Sequence, residues 1–216
     1  DVAIHKAKDS LLKGVRIAQT VACNSVKIIG SIAPLEDCYS PNLFPGKDTA
    51  IIEFSQLGKW LAAAGVDILL LETMNSLVET EAAIMGTKNL SLPIWVSFVL
   101  KDDLNLLSGD SISKTIEMVI DHEIDCLLLN CNPITRTLYA AEYLVSIWPH
   151  KWGVYPNLGI GEPSPDGHIL NYEIMSRFLS TMRKIIKLRP AIVGACCGSN
   201  SEHIIGLKNL QYEFSV

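Results

Sequence analysis

Six cysteines occur in 216 residues, and three of them stand where chemistry can be done. Cys196 and Cys197 are adjacent in Gly194-Ala195-Cys196-Cys197-Gly198-Ser199, directly after a short apolar run. Taken alone, such a pair reads as two small core hydrophobes, because a free cysteine packs like one. Cys131 changes that reading. It closes a different apolar run, in Leu129-Asn130-Cys131-Asn132-Pro133, so a parallel α/β fold brings it to the same rim as the pair. Three thiolates from two rim loops suit Zn²⁺, which is normally four-coordinate, and leave one position open for a reacting group. Gly198 and the small Ala195 let the turn tighten so that neighbouring sulfurs can face one ion. The other cysteines compete poorly. Cys126 falls inside an apolar run and is expected in the core, Cys23 lies at the end of the first helix, and Cys38 sits in a loop with no partner spacing.

Glu72 closes the run Asp67-Ile68-Leu69-Leu70-Leu71 and admits two readings. At a strand end it would face the same rim as the cysteines, where a carboxylate can bind a substrate ammonium. It could instead favour the N-terminal dipole of a helix expected over 76–85, although Glu79 and Glu81 suit that task better. The five histidines, His5, His122, His150, His168 and His203, are scattered and read as surface or helix-end residues. No zincin-type His-Glu-x-x-His is present. Gly159-Ile160-Gly161-Glu162 resembles half of a dinucleotide loop, but the turn cluster Pro163-Ser164-Pro165-Asp166-Gly167 follows it, where a helix would be needed. Ser31 and Ser199 have no histidine or lysine at a related rim position, which weakens a serine hydrolase. A covalent cysteine nucleophile, Cys131 or Cys197, would lack the same support.

These positions depend on elements that the hydropathy pattern supplies. Continuous apolar runs at 26–30, 66–71, 93–99, 125–129, 152–155 and 191–194 suit strands buried on both faces of a parallel sheet. Helical patterns lie between them. Ile51, Phe54, Leu57, Trp60 and Leu61 end at Gly65, a C-cap; Ile112, Ile116, Val119 and Ile120 follow Asp110 or Ser111 as cap. Leu138, Ala141, Tyr143 and Leu144 mark a third helix, and Ile174, Phe178, Met182, Ile185 and Ile186 mark the longest, stopped before Pro190. A further amphipathic helix is expected over 3–21. Repeated strand and helix mean right-handed crossovers and an α/β fold, either an open doubly wound sheet or a (β/α) barrel. Both bind ligands at the C-terminal strand ends, which here carry Ser31, Glu72, Thr73, Ser97, Asn130, Cys131, Asn157, Cys196 and Cys197.

The composition is that of a globular protein, 49% apolar and 19% charged. A formal charge of −5 without a dense basic block excludes an electrostatic footprint for nucleic acid and points to small solutes. No apolar stretch of ~20 residues could span a membrane, and no secretory signal opens the sequence, so a cytoplasmic protein is expected. A chain of 216 residues is short for an eight-unit barrel of ~250 residues.

The motifs together resemble the zinc-dependent homocysteine S-methyltransferases. Gly194-Ala195-Cys196-Cys197-Gly198-Ser199 is similar to that family's terminal Gly-Gly-Cys-Cys-Gly-Thr, and Asn130-Cys131 to its upstream Asn-Cys. Glu72-Thr73 is similar to its Glu-Thr after a buried strand, Tyr155-Pro156-Asn157-Leu158-Gly159 to its Tyr-Pro-Asn-x-Gly, and Gly30-Ser31-Ile32-Ala33-Pro34 to its Gly-Ser-x-x-Pro. The resemblance implies a (β/α)8 barrel of the TIM type. It implies Cys131, Cys196 and Cys197 as zinc ligands, Glu72 as the residue that holds the amino group of homocysteine, and Asn157 in the substrate pocket. The implied reaction moves a methyl group from a sulfonium donor, S-methylmethionine or S-adenosylmethionine, to zinc-bound homocysteine thiolate, giving methionine.

Ala195 and Ser199 replace the family's glycine and threonine, tolerable if residue 195 has negative φ. The family's first two strands, with an Asp-Gly-Gly loop, have no counterpart, and the first helix here matches the one before the family's third strand. Residues 1–216 are therefore expected to form an N-terminally incomplete homocysteine-binding barrel with about six of eight units, two open sheet edges and a tendency to self-associate. An inactive fragment or paralogue that keeps zinc or an amino-acid thiol is the alternative.

Overall fold

The computed structural model describes residues 2–23, 26–160, 169 and 171–214. Helix α1 (Val2–Val21) precedes strand β1 (Ile29–Ile32), followed by α2 (Lys47–Ala64), β2 (Ile68–Met74), α3 (Leu77–Thr87) and β3 (Ile94–Phe98). Then come α4 (Ile112–Ile120), β4 (Cys126–Pro133), α5 (Ile134–Ile147), β5 (Trp152–Asn157), α6 (Met175–Ile186), β6 (Ile192–Val193) and α7 (Ser201–Phe214). All strand pairs are parallel and the order is β1-β2-β3-β4-β5-β6. A doubly wound sheet reverses its strand order at a switch point. Here every crossover moves to the next strand in one direction, the winding of a (β/α) barrel, with six units among the described residues.

The period-two alternation of the strands divides two apolar layers. Leu69, Leu71, Val96, Phe98, Leu127, Leu129 and Val154 point to the helices and join Phe54, Ile84, Ile116, Leu144 and Phe178 in the main core. Leu70, Cys126 and Leu128, with Trp95, Tyr155 and Ile192, face the other way and form a smaller cluster on the concave side. That is why the runs are continuous rather than alternating. Cys126 is fully buried there, as expected, and burial pushes its thiol up to about 12. Gly153 permits the closest strand approach, since a Cβ there would lie 2.4 Å from the Ile192 carbonyl oxygen.

At the N-terminal edge of the sheet, Asp67 accepts a hydrogen bond from the Ile28 amide (2.8 Å) and Asp125 from the Ile94 amide (2.9 Å). Each acid precedes one strand and fixes the start of its neighbour. Gly65 closes α2 with φ of 83° and an amide donating to the Leu61 and Ala62 carbonyls, the expected C-cap.

Two expectations require correction, and a third is met in part. Strands β2, β4 and β5 run two to four residues further toward their C-termini than the apolar runs, because polar side chains at the rim find partners within the sheet. Ser111, one of the two expected caps, is the N-cap residue of α4, but its hydroxyl makes no cap hydrogen bond. Asp110 instead accepts from the Leu77 amide at 2.8 Å and so caps α3, while the Ser111 hydroxyl lies 2.7 Å from that of Ser113. Helix α6 has 12 residues and is shorter than α2 with 18; residues 171–173 run antiparallel to 158–160, just past the end of β5, before the helix begins.

Asn132, fully buried, ties the end of β3 to β4. Its Oδ1 accepts from the Leu100 amide (2.7 Å) and its Nδ2 donates to the Phe98 carbonyl (3.1 Å). Asn132→Ala strands both backbone groups, so a loss of roughly 2–4 kcal/mol is expected, read as a lower urea midpoint at unchanged m.

Candidate metal centre

The thiols of Cys131, Cys196 and Cys197 converge at the C-terminal rim, all within 4.8 Å of one another. Two local devices bring them there. In β4 the register to β5 gains one residue between Asn130 and Pro133, and Cys131 within that bulge takes a left-handed φ of 53°. A bulge of this kind re-aims a side chain that regular pleating would direct elsewhere. After β6, the chain continues along β5 without regular strand geometry: the Cys196 amide donates to the Pro156 carbonyl (2.8 Å), and the Cys197 carbonyl accepts from the Leu158 amide (3.0 Å). Gly198 then turns with φ of 80°, and the Ser199 hydroxyl donates to the Cys196 carbonyl at 2.6 Å. Ala195 is not among the residues with positive φ, so the alanine is tolerated.

The sulfurs are 2.7 Å (Cys131 to Cys196), 3.5 Å (Cys131 to Cys197) and 3.8 Å (Cys196 to Cys197) apart, and all three are free thiols. Tetrahedral zinc with sulfur ligands at ~2.3 Å separates them by about 3.8 Å, so two spacings fit and one must open by about 1 Å. A set of soft thiolate donors fits zinc rather than a hard cation. Cys131 is buried, Cys196 half-buried and Cys197 exposed, which opens the cluster to solvent on the Cys197 side. The hydrogen bond with Cys196, then burial, raises the Cys131 thiol; burial and the neighbouring Cys131 raise that of Cys197.

Glu72 lies on the same rim, and its carboxylate turns to the concave face rather than to the start of α3, whose N-cap is Ser76. The Ser31 hydroxyl donates to Oε2 (2.5 Å) and the Tyr155 hydroxyl to Oε1 (3.0 Å). Tyr155 is also 2.9 Å from Ser97 Oγ, which accepts from the Thr73 amide at 3.0 Å. Burial, then the charge of Glu72, raises the Tyr155 phenol, which therefore stays protonated as a donor. Along the concave face the apolar floor of Leu70, Trp95, Cys126 and Leu128 gives way to a polar ring of Ser31, Glu72, Ser97, Asn130 and Tyr155.

A family model described as homocysteine S-methyltransferase matches residues 2–210. The chain belongs to the homocysteine S-methyltransferase family. Among similar proteins are a selenocysteine Se-methyltransferase of Brassica oleracea var. italica, 28% identical over 63% of this chain and 41% of that protein. Another is homocysteine S-methyltransferase YbgG of Bacillus subtilis, 27% identical over 68% of this chain and 47% of that protein. The chain spans less than half the length of these relatives. Of solved structures, the apo form of the homocysteine methyltransferase MmuM from Escherichia coli superposes with a TM-score of 0.78 at 20% identity, covering 95% of this chain and 75% of that one. Its metallated form gives a TM-score of 0.75 at 20% identity, over 94% and 70%.

Within this homocysteine S-methyltransferase fold, Asn157 is occupied at both ends of its amide. Nδ2 donates to the Cys131 carbonyl (2.6 Å) and Oδ1 accepts from the Gly159 amide (3.0 Å), so the side chain braces the bulge that carries Cys131. Tyr39, in the loop after β1, lies near the Cys131 thiol; partial burial of its hydroxyl, then the charge of Cys131, raises its phenol although the residue as a whole is largely exposed. The loop is held from beneath: Asn75 Nδ2 donates to the Cys38 carbonyl (3.0 Å), and the buried Glu79 accepts from the Leu35 amide (2.9 Å). Burial raises the Glu79 carboxyl. Glu81, the other acid expected at that helix start, pairs with Lys47 at 2.7 Å. Cys38 has a thiol raised by burial and by Asp37, with Cys131 and Cys197 also close enough to contribute, yet it stands outside the three-sulfur cluster.

Ser31, Ser97 and Tyr155 appear in the sequence as strand-end residues without a task; counting alternate positions from the buried runs places all three on the concave face. Tyr39 carries no periodic signal. His5 and His150 are exposed and His122 half-buried, and His203 is a helix-end residue in the first turn of α7, buried against Phe178 with a ring-centroid distance of 5.3 Å. His168 and 161–167 lie outside the described residues. No helix among the described residues is long and apolar enough to cross a membrane.

Proposed function

We propose that this chain transfers a methyl group from a sulfonium donor, S-methylmethionine or S-adenosylmethionine, to homocysteine, with zinc held by Cys131, Cys196 and Cys197. The observation that carries the reading is the convergence of three thiols, within 4.8 Å, on one rim with a carboxylate turned toward the same concave face. Residues 1–216 act in it as a homocysteine-binding barrel domain. Bound zinc supplies a Lewis acid at which the homocysteine sulfur is a thiolate at neutral pH, so no separate base is needed. Glu72 receives the substrate ammonium: an ionised carboxylate has about four acceptor sites, and Ser31 and Tyr155 use two. Those two donors also fix the plane of the carboxylate, and Tyr155, kept protonated, holds it throughout the reaction. Asn157 and the turn at Gly198 hold the backbone of the thiol ligands. In the transfer a new carbon–sulfur bond forms at homocysteine, the donor's carbon–sulfur bond breaks, and its electron pair stays on the departing sulfur as a neutral thioether.

The test is zinc content after dialysis, together with methionine formation from homocysteine and each donor. One zinc per chain with turnover is expected. Folded, metal-free protein in which all six cysteines titrate freely would overturn the zinc assignment; one bound zinc without methyl transfer would leave a binding role only. The raised thiols set the pH dependence. Cys131 and Cys197 are protonated without metal and must release their protons to bind it, so affinity falls as pH falls. Chelator competition between about pH 8 and about pH 6 is expected to weaken binding by ~10-fold per pH unit for each proton displaced.

A further inference from the structure

The two rim features that the proposed function needs, the Glu72 carboxylate and the Cys131 thiol, sit beside two matching irregularities. In β2 the pairing with β3 runs from Leu71↔Val96 to Met74↔Phe98, one residue more on β2; in β4 the pairing with β5 runs from Asn130↔Tyr155 to Pro133↔Asn157, again one residue more on β4. Each extra residue leaves a non-glycine residue in the left-handed region, Thr73 at φ of 62° and Cys131 at 53°. For a β-branched threonine that conformation is a genuine outlier and persists only where its surroundings hold it. Thr73 is held twice: its amide donates to Ser97 Oγ, and its hydroxyl accepts from Asn130 Nδ2 at 2.8 Å.

That second bond joins β4 to β2 above β3, between strands that do not pair with each other. Asn130 is buried, at 1% exposure, and its Oδ1 has no hydrogen-bond partner among the described residues. A buried amide with one end unsatisfied is a poor choice for stability alone, where an apolar side chain of similar volume would serve. The one side-chain bond it does make reaches the residue next to Glu72, while its own backbone leads directly into Cys131.

We infer that Asn130 is a positioning residue whose bond to Thr73 locks the two bulges together and thereby sets the separation between Glu72 and Cys131. The inference rests on the proposed function for what that separation serves. A change at either end of the bond must then be felt at the other: Thr73, whose side chain bonds Asn130 and no thiol, governs metal binding, and Asn130, which has no hydrogen bond to Glu72, governs the amino acid's affinity.

The experiment is a double-mutant cycle of Asn130→Ala and Thr73→Val, with Thr73→Ser as the variant that keeps the hydroxyl. Zinc affinity is measured by chelator competition, homocysteine KM and kcat by methionine formation, and stability by urea unfolding. Outer partners of metal ligands typically set affinity or activity by ~10–100-fold. Asn130→Ala and Thr73→Val are each expected to weaken zinc by about tenfold and to raise KM by about tenfold with a smaller change in kcat. The double variant should lose no more than the worse single one, and Thr73→Ser should restore zinc affinity. Additive losses, or a folded Thr73→Val with wild-type zinc affinity and KM, would overturn the clamp, and the Thr73 arm decides alone if Asn130→Ala does not fold. Should the unaltered chain bind neither zinc nor homocysteine, the proposed function fails; the clamp is then read from unfolding, where non-additive effects of the two substitutions support it and additive ones refute it.

Discussion

Cys131→Ser, Cys196→Ser and Cys197→Ser are each expected to lower zinc affinity by about a hundredfold to a thousandfold and to bring methyl transfer to background. A structural zinc site in small peptides is worth ~10–16 kcal/mol, so one of three protein ligands carries several kcal/mol of it. The serine hydroxyl is nearly isosteric but far less acidic and harder, so it does not replace a thiolate toward zinc. The three variants should not be equal. Cys131 is buried and its carbonyl is braced by Asn157, so its loss takes away the ligand with least freedom to be replaced by water. Cys197 faces solvent, and its variant should retain most of whatever binding survives. Cys126→Ser is the matched control. It lies in the apolar floor at the first residue of β4, at the end of the strand away from the rim, and its substitution should cost stability while zinc stoichiometry stays at one. Metal analysis after dialysis against a weak chelator separates these outcomes, and zinc retained at full stoichiometry in all four variants would remove the cluster from consideration.

Glu72→Gln is expected to reduce kcat/KM for homocysteine by about a hundredfold to a thousandfold without changing zinc content. Glutamine keeps the shape but has a single acceptor oxygen where Glu72 accepts from Ser31 on one oxygen and Tyr155 on the other, so the change removes the charge and one of these two hydrogen bonds. Leaving a partly buried ammonium without its anion costs ~2–5 kcal/mol at desolvated sites, which sets the size of the effect. Most of it should appear in KM, since the amino group is bound alike in the ground state and the transition state. An acceptor thiol that lacks the amino group provides the internal check. With it, wild type and Glu72→Gln should turn over at similar rates, because neither can use the ion pair. A gap that persists with that acceptor would show that Glu72 acts on the metal centre rather than on the ammonium.

The strands and helices were legible because burial on both faces writes continuous apolar runs, and because Gly65 and the stop before Pro190 mark helix ends by backbone constraint. The three thiols were legible from their position after such runs, and the family's motif order chose the barrel over the open sheet. The parts that escaped depend on contacts between distant residues. Nothing local announces that Thr73 and Cys131 adopt positive φ, since neither is glycine and each is held by a side chain from another strand. Asp110 was misplaced for the same reason: adjacent in sequence to α4, it bonds the first turn of α3 instead. The loop that carries Tyr39 is anchored from a distance, by Glu79 through the Leu35 amide and by Asn75 through the Cys38 carbonyl.

Strand β6 contains two residues and pairs with β5 alone among the described residues, yet the turn that follows it carries two of the three thiols. The third is on β4, 65 residues earlier. A metal gripped by all three closes that loop across the sheet, and a link over such a length removes much of the freedom of the opened chain. On the proposed function, loading the centre would therefore also fasten the fold, since the ion that readies the nucleophile would tie the last strand and the start of α7 to β4.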